Sequence, residues 1–312
     1  MKKMFALFCL VLMLVGCSNN SDVHHVGVIQ LVQHDALDKA TQGFVEVLKD
    51  EFGDKIEIIV ENAAGDSNTC STMATNFVAD GVDLIMANAT PALQAAKNAT
   101  SDIPVLGTSV TEYGVALGID NFNGVVGSNV SGTSDLAPLD GQADMILELF
   151  PNTKTVGILY CFSEANSKYQ VDEVTKFLLD KGVEVKPYGF SDSNDVSSVA
   201  VTACDEVDVL FIPTDNTCAS NGEVIANAAN NKNIPIITGE KECCLSVGGV
   251  ATLSIDYYEL GKVTGGMAIR ILNGEDISKM QIEYYGNPEK LIDLDKAVAF
   301  GIDVPSDYKS LK

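Results

Sequence analysis

The sequence predicts an α/β protein of two similar lobes, each a doubly wound parallel sheet, joined by a multi-strand hinge. Three observations carry this. Apolar runs bounded by polar turns alternate with amphipathic stretches along the chain, as in repeated strand–helix units. Phrases recur in the same order: Val26-Gly27-Val28-Ile29 returns as Val156-Gly157-Ile158-Leu159, Asp66-Ser67-Asn68 as Asp192-Ser193-Asn194, and Ile103-Pro104-Val105-Leu106 as Ile234-Pro235-Ile236-Ile237. Finally, residues 134–150 and 254–272 each follow a Gly- and Val-rich run and open on a polar turn, with Asp135 and Asp256, before a long amphipathic stretch. These turns are the natural crossings between lobes, and crossings of this kind make a hinge.

Taken in order, residues 26–32 read as a strand, 36–51 as a helix and 56–60 as a strand. Residues 68–79 form a helix, 82–87 a strand and 91–99 a helix, with Pro91 suited to a first helical turn. Residues 104–107 make a fourth strand, and 124–130 and 247–253 are strands leading to the crossings. In the second half, Val209-Leu210-Phe211-Ile212 is a continuous apolar run, expected as a strand buried on both faces. Pro213 lacks a backbone donor and stops the ladder, and Thr214-Asp215-Asn216-Thr217 suits a helix start. The run Val82 to Thr90 is its counterpart in the first half. Residues 281–312 have none; a third crossing is expected there, with a strand at 282–285 and a closing turn at 302–305. The lobes are expected at 24–131 with about 250–276, and at 132–249 with about 277–312.

Residues 1–17 read as an export signal. Lys2 and Lys3 precede an apolar run at 4–15, too short to span a bilayer comfortably. The run ends Leu14-Val15-Gly16-Cys17, resembling a bacterial lipoprotein signal, with cleavage before Cys17, lipidation of that residue and a tether at 18–23. An extracytoplasmic protein follows, anchored to the membrane by acyl chains such as palmitate. Lys and Arg number 20 against 43 Asp and Glu, a net charge of −23, which disfavours nucleic acid and anionic membrane as partners. Six cysteines remain after Cys9 and Cys17: Cys70, Cys161, Cys204, Cys218, Cys243 and Cys244. A chain of this size needs no staples, so free, mostly buried thiols are expected.

Two facing parallel sheets put the carboxyl ends of their strands into one crevice, where such sheets bind ligands. The first lobe offers Gln33 and His34, Thr90, and Thr108 with Ser109. The second offers Ser163, Glu164 and Asn166, then Thr214, Asp215 and Asn216, then Glu240. The crossing adds Thr133, Ser134 and Asp135. Hydroxyls and helix-start N–H groups suit a ligand carboxylate, and Asp215 or Glu240 a ligand ammonium, with Asp215 leading. Tyr113, Phe162, Tyr257 and Tyr258 lie beside the tips and offer apolar walls. Each has a plainer role open to it: Thr90, Ser163 and Thr214 as helix caps, Gln33 and His34 as solvated loop, the aromatics as core or surface. G-x-S-x-G, H-E-x-x-H and phosphate-loop motifs are absent, and histidines occur only at 24, 25 and 34. No enzyme, cofactor or metal is expected.

These phrases together resemble the ABC-transporter substrate-binding lipoproteins of the tryptophan/tyrosine type, which have the type I periplasmic-binding-protein fold. Val26-Gly27-Val28-Ile29-Gln30, Ala89-Thr90-Pro91-Ala92, Gly132-Thr133-Ser134-Asp135, Ser163-Glu164-Ala165-Asn166-Ser167, Pro213-Thr214-Asp215-Asn216-Thr217 and Ile255-Asp256-Tyr257-Tyr258 carry the resemblance. It implies capture of a hydrophobic or aromatic amino acid, by hinge closure of a monomer, and delivery to the transmembrane subunits of an ABC permease. A cell-surface adhesin, or a receptor for another small solute, is the alternative. Members of this family often carry Glu-His-Pro at the first strand tip; here the tip reads Gln33-His34-Asp35, an amide in place of a carboxylate.

Overall fold

The computed structural model describes residues 23–312; the signal expected at 1–17, Cys17 and most of the expected tether lie outside the described residues. Two sheets form the molecule. The first runs, edge to edge, Glu283–Tyr284, Val130–Ser134, Val105–Val110, Leu84–Asn88, His24–Gln30 and Ile56–Asn62, with parallel pairing throughout. The second runs Lys309–Ser310, Glu289–Ile292, Ala251–Ser254, Ile236–Thr238, Val209–Ile212, Thr155–Cys161 and Glu184–Phe190. Only the pairing of Glu289–Ile292 with Ala251–Ser254 is antiparallel.

Strand alternation sorts the first lobe into two layers. Val26, Val28, Leu84 and Met86 face the helices Asp35–Phe52 and Tyr257–Leu272, packing on Phe44, Leu48, Met267 and Ala268. Ile29, Ile85 and Ala87 face the other way, onto Phe77 and Leu93 of the helices Ser67–Asp80 and Thr90–Ala99. The two helices of the first layer touch along glycines. A Cβ at Gly43 would strike the Tyr258 carbonyl, and one at Gly261 the Ala40 carbonyl. Only the missing side chains let these backbones approach so closely.

Pairing displaces the expected boundaries. The expected strand at 124–130 is instead Val130–Ser134, because Gly124 (φ 92°) and Gly127 (φ 74°) break the extended path before it. Ala251–Ser254 belongs to the second sheet, so the second crossing follows Ser254 rather than preceding residue 250. Glu283–Tyr284 belongs to the first sheet, so the third crossing falls after Tyr284 and not near 277. The chain thus crosses three times. All six cysteines within the described residues are buried and free.

Candidate functional site

The strand ends of the two sheets face each other and the lobes touch. His34 Nε2 of the first lobe lies 3.2 Å from Asn216 Oδ1 of the second. Lys39 Nζ lies 2.5 Å from Glu242 Oε1 of the second. Between them is a narrow chamber of about 10 Å³. Its walls are His34, Ala36, Leu37 and Ser109 from the first lobe, Asp135 and Tyr257 from the crossings, and Asn166, Thr214, Asp215, Asn216, Ala219 and Glu240 from the second. Three of these are carboxylates, and no Lys or Arg lines the chamber.

Local structure decides which predicted residues reach it. The first strand ends at Gln30 and the chain bends at Leu31 and Val32 before the helix. His34 turns into the chamber, while Gln33 is exposed and lines a groove on the outer face of the first lobe with Thr41, Val45 and Val60. Gln33 is thereby removed from the site. Thr108 and Ser109 also part company. Thr108 Oγ1 bonds Thr133 Oγ1 (3.2 Å) and Thr264 Oγ1 (3.0 Å), closing a buried triangle of hydroxyls that ties the helix Tyr257–Leu272 to the sheet. Ser109, at φ 53° in a register shift between Gly107 and Val110, swings its side chain to the chamber instead. Such a left-handed non-glycine residue is costly and persists where surrounding structure holds it. Ser134 also turns away: its hydroxyl donates to Thr111 O at 2.8 Å and accepts from Leu136 N, holding the crossing turn. Thr90 opens its helix and is buried. Ser163 is exposed and donates to Ser191 O at 2.9 Å.

The carboxylates differ in what they have left to offer. Asp215 accepts from Cys161 N (2.7 Å) and Cys218 N (2.8 Å), one on each oxygen, as the cap of the short helix Asn216–Ser220. Glu240 likewise caps Lys241–Ser246, accepting from Glu242 N and Cys243 N. Asp135 accepts from Tyr257 Oη, at 2.8 Å on Oδ2, with the Thr111 side chain close by; its buried Oδ1 has no hydrogen-bond partner among the described residues. Burial raises the pKa of all three, Glu240 to about 8. Glu164 stands just behind, pushed to about 7 by burial and by Asp215. It accepts from Asn216 N, Asn216 Nδ2, Thr217 N and Thr217 Oγ1. His34 Nδ1, Thr90 Oγ1, Ser109 Oγ and Asn166 Oδ1 are also buried and unpartnered among the described residues. Four chamber-lining residues, His34, Ser109, Asp135 and Asn166, thus carry a buried polar atom without a partner, which marks a place where polar atoms await a ligand.

Beyond Asn216 and Glu164 the cleft opens into a second cavity of about 290 Å³. Leu31, Val32, Ala64 and Pro91 line its first-lobe side, and Ser163, Ser191, Asp192 and Thr217 its second-lobe side. Of the four aromatics expected as walls, only Tyr257 lines the chamber. Tyr113 is buried with its hydroxyl on Thr133 O, Tyr258 bonds Glu46 at the surface, and Phe162 is exposed. Ala36, Leu37 and Ala219 were not signalled as walls; each is an apolar residue in the first turns of a helix that starts at the cleft.

A family model described as "ABC transporter substrate binding protein" matches residues 25–309. The chain is 37% identical over 302 residues to a tyrosine-binding protein of Clostridioides difficile (strain R20291), covering 91% of this chain and 87% of that one. It superposes with a TM-score of 0.87 on an ABC domain from Streptococcus pneumoniae in complex with L-Trp, at 32% identity over 91% of this chain and 96% of that one. On the ligand-free, open structure of a Clostridium difficile substrate-binding protein with adhesive properties, the TM-score is 0.69 at 37% identity, covering 93% of this chain and 100% of that one. The better fit to the liganded relative, despite lower identity, agrees with the contacts of His34 and Lys39: the lobes here are closed.

Proposed function

The chain belongs to the ABC transporter substrate-binding proteins, and we propose that it captures one aromatic amino acid in the cleft between the lobes, as a zwitterion. The observation that carries this is the lining: acceptors and hydroxyls with free buried atoms, three acids and no cationic side chain. A ligand ammonium pairs with Asp135 Oδ1, the one carboxylate oxygen of the lining left without a partner. The hydroxyls of Thr90 and Ser109 serve the ligand carboxylate, with the N–H groups that open the helix Thr90–Ala99. The side chain extends past Asn216 into the outer cavity, against Leu31, Val32 and Pro91. Aromatic ligands are favoured because one relative is a tyrosine-binding protein and another was crystallised with L-Trp.

Function follows from closure. Ligand bound between the lobes favours the closed form, which engages the permease. The protein acts as a lipid-anchored monomer through Cys17, outside the cytoplasm, and performs no catalysis. A second role in adhesion is supported by the adhesive properties of one relative. Calorimetry and thermal melting against the free L-amino acids test the proposal. Tyrosine or tryptophan should bind at micromolar concentration or below and raise the melting temperature by mass action. Absence of any stabilising amino acid would overturn it.

A further inference from the structure

Three of the unpartnered atoms in residues that line the chamber are acceptors: Asp135 Oδ1, Asn166 Oδ1 and His34 Nδ1. Neighbouring bonds fix the chemistry of each. Asp135 spends Oδ2 on Tyr257. Asn166 donates from Nδ2 to Thr214 O at 3.1 Å, which leaves its oxygen as the free end. The state of His34 is set through a relay. Glu164 is held by the Asn216 and Thr217 N–H groups and the Thr217 hydroxyl. Asn216 directs Nδ2 to Glu164 Oε2 at 2.6 Å, so its Oδ1 faces His34 Nε2. An amide oxygen only accepts, so Nε2 carries the proton. In a neutral imidazole Nδ1 is then bare. Burial, which lowers the His34 pKa, keeps the ring neutral against the pull of Glu164, Asp38 and Asp35.

We propose, resting on the amino-acid capture argued above, that His34 is a specificity-determining residue: its Nδ1 is the third acceptor of a cradle for the ligand ammonium, beside Asp135 and Asn166. An ammonium has three N–H donors, and the lining offers it three bare acceptors. They come from three parts of the fold. His34 caps the first helix of lobe one, Asp135 sits at the first crossing, and Asn166 opens the helix Ala165–Asp180 of lobe two. The cradle is therefore complete only with the lobes together, so the primary amine is the group that closure reads. Deaminated and N-alkylated analogues lose one or more of the three bonds.

The test compares L-tyrosine with 3-(4-hydroxyphenyl)propanoate, and L-tryptophan with 3-(indol-3-yl)propanoate, by calorimetry with competition. Wild type, His34→Leu and His34→Gln are each measured. The preference for the amine over the deaminated acid should fall about tenfold in His34→Leu; loss of the His34–Asn216 contact between the lobes lowers both affinities alike and cancels in the ratio. His34→Gln, which keeps an acceptor, should recover part of it. An equal preference in wild type and His34→Leu overturns the role of His34 and leaves amino-acid capture standing. If neither amino acid binds wild type, capture itself fails. Nitrogen-15 spectra of the three histidines, at 24, 25 and 34, give a readout on the unmutated protein. The His34 Nδ1 resonance should be that of an unprotonated nitrogen and move with the amino acid but not with the deaminated acid. A protonated Nδ1 in the ligand-free protein overturns the assignment.

Discussion

Asp135→Asn changes one atom's chemistry and almost none of the shape. Asn retains an oxygen for the Tyr257 hydroxyl, which lies 2.8 Å from Oδ2, so the crossing turn should hold. What is lost is the charge facing the ligand ammonium from a residue 3% exposed. A hydrogen bond to a charged group contributes about 1.5–3 kcal/mol, and breaking a buried ion pair costs about 3–5 kcal/mol. The amide NH2 then stands in place of Oδ1 and sets a donor against the ammonium, so the loss should be at least about 2–4 kcal/mol, roughly 30- to 700-fold in Kd. Calorimetry with L-tyrosine and L-tryptophan measures it, and melting of the ligand-free variant checks the fold. Proton release gives a second handle. Burial raises the Asp135 pKa, so the ligand-free carboxyl holds a proton more readily than the ammonium-bound one. As pH falls into the range where the ligand-free carboxyl takes up its proton, binding to wild type should release protons, visible as a dependence of the binding heat on the buffer's ionisation enthalpy, and Asp135→Asn should reduce it. A folded variant that binds within about threefold of wild type would refute the ammonium role.

Asp215→Asn should behave in the opposite way. Both oxygens already accept N–H groups, so the amide forces one donor against another; stability in urea should fall by about 1–2 kcal/mol while affinity falls less than in Asp135→Asn. Ligand-free stability should decline from pH about 5.5 to about 8. Glu240, raised to about 8 in the fold against an ordinary 4.5, keeps a proton there that the unfolded chain has released, so rising pH favours unfolding. Glu240→Gln should flatten that slope, and an unaltered slope would assign it to other groups. Gly261→Val drives a side chain into the Ala40 carbonyl and should cost at least about 1–3 kcal/mol by urea melting. A neutral result would mean that the two helices can part without penalty.

The layers of the fold were legible because fully buried parallel strands leave an unbroken apolar trace. Val209-Leu210-Phe211-Ile212 gives its strand to the residue. The short antiparallel strand Glu289–Ile292 was not signalled, since its polar first half resembles a loop. At the cleft, sequence located the right tips but not which neighbour faces inward. Thr108 and Ser109 are chemically alike; a register shift and a left-handed backbone decide between them. Gln33 and His34 are sorted by the bend that follows the strand's end at Gln30. Among the carboxylates, Asp215 drew the ammonium assignment from its place after Pro213. Two backbone N–H groups occupy its oxygens, and Asp135 keeps the free one. Whether a cap has an oxygen to spare depends on distant backbone, as with Cys161 N on Asp215, and no local pattern reports that.

The three crossings set the order in which this molecule can be finished. Val28, Phe44 and Leu48 lie near the start of the chain, yet the surface that covers them includes Met267, Ala268 and Ile271, and the layer extends to Met280. The second sheet takes its last strands from Glu289–Ile292 and Lys309–Ser310, later still. During synthesis both lobes are therefore completed only near the end of the chain. Until residue 280 emerges, one face of the first sheet stays open and apolar, a liability for a chain folding from its amino end. The same delay keeps the first lobe from locking before most of the chain has been made.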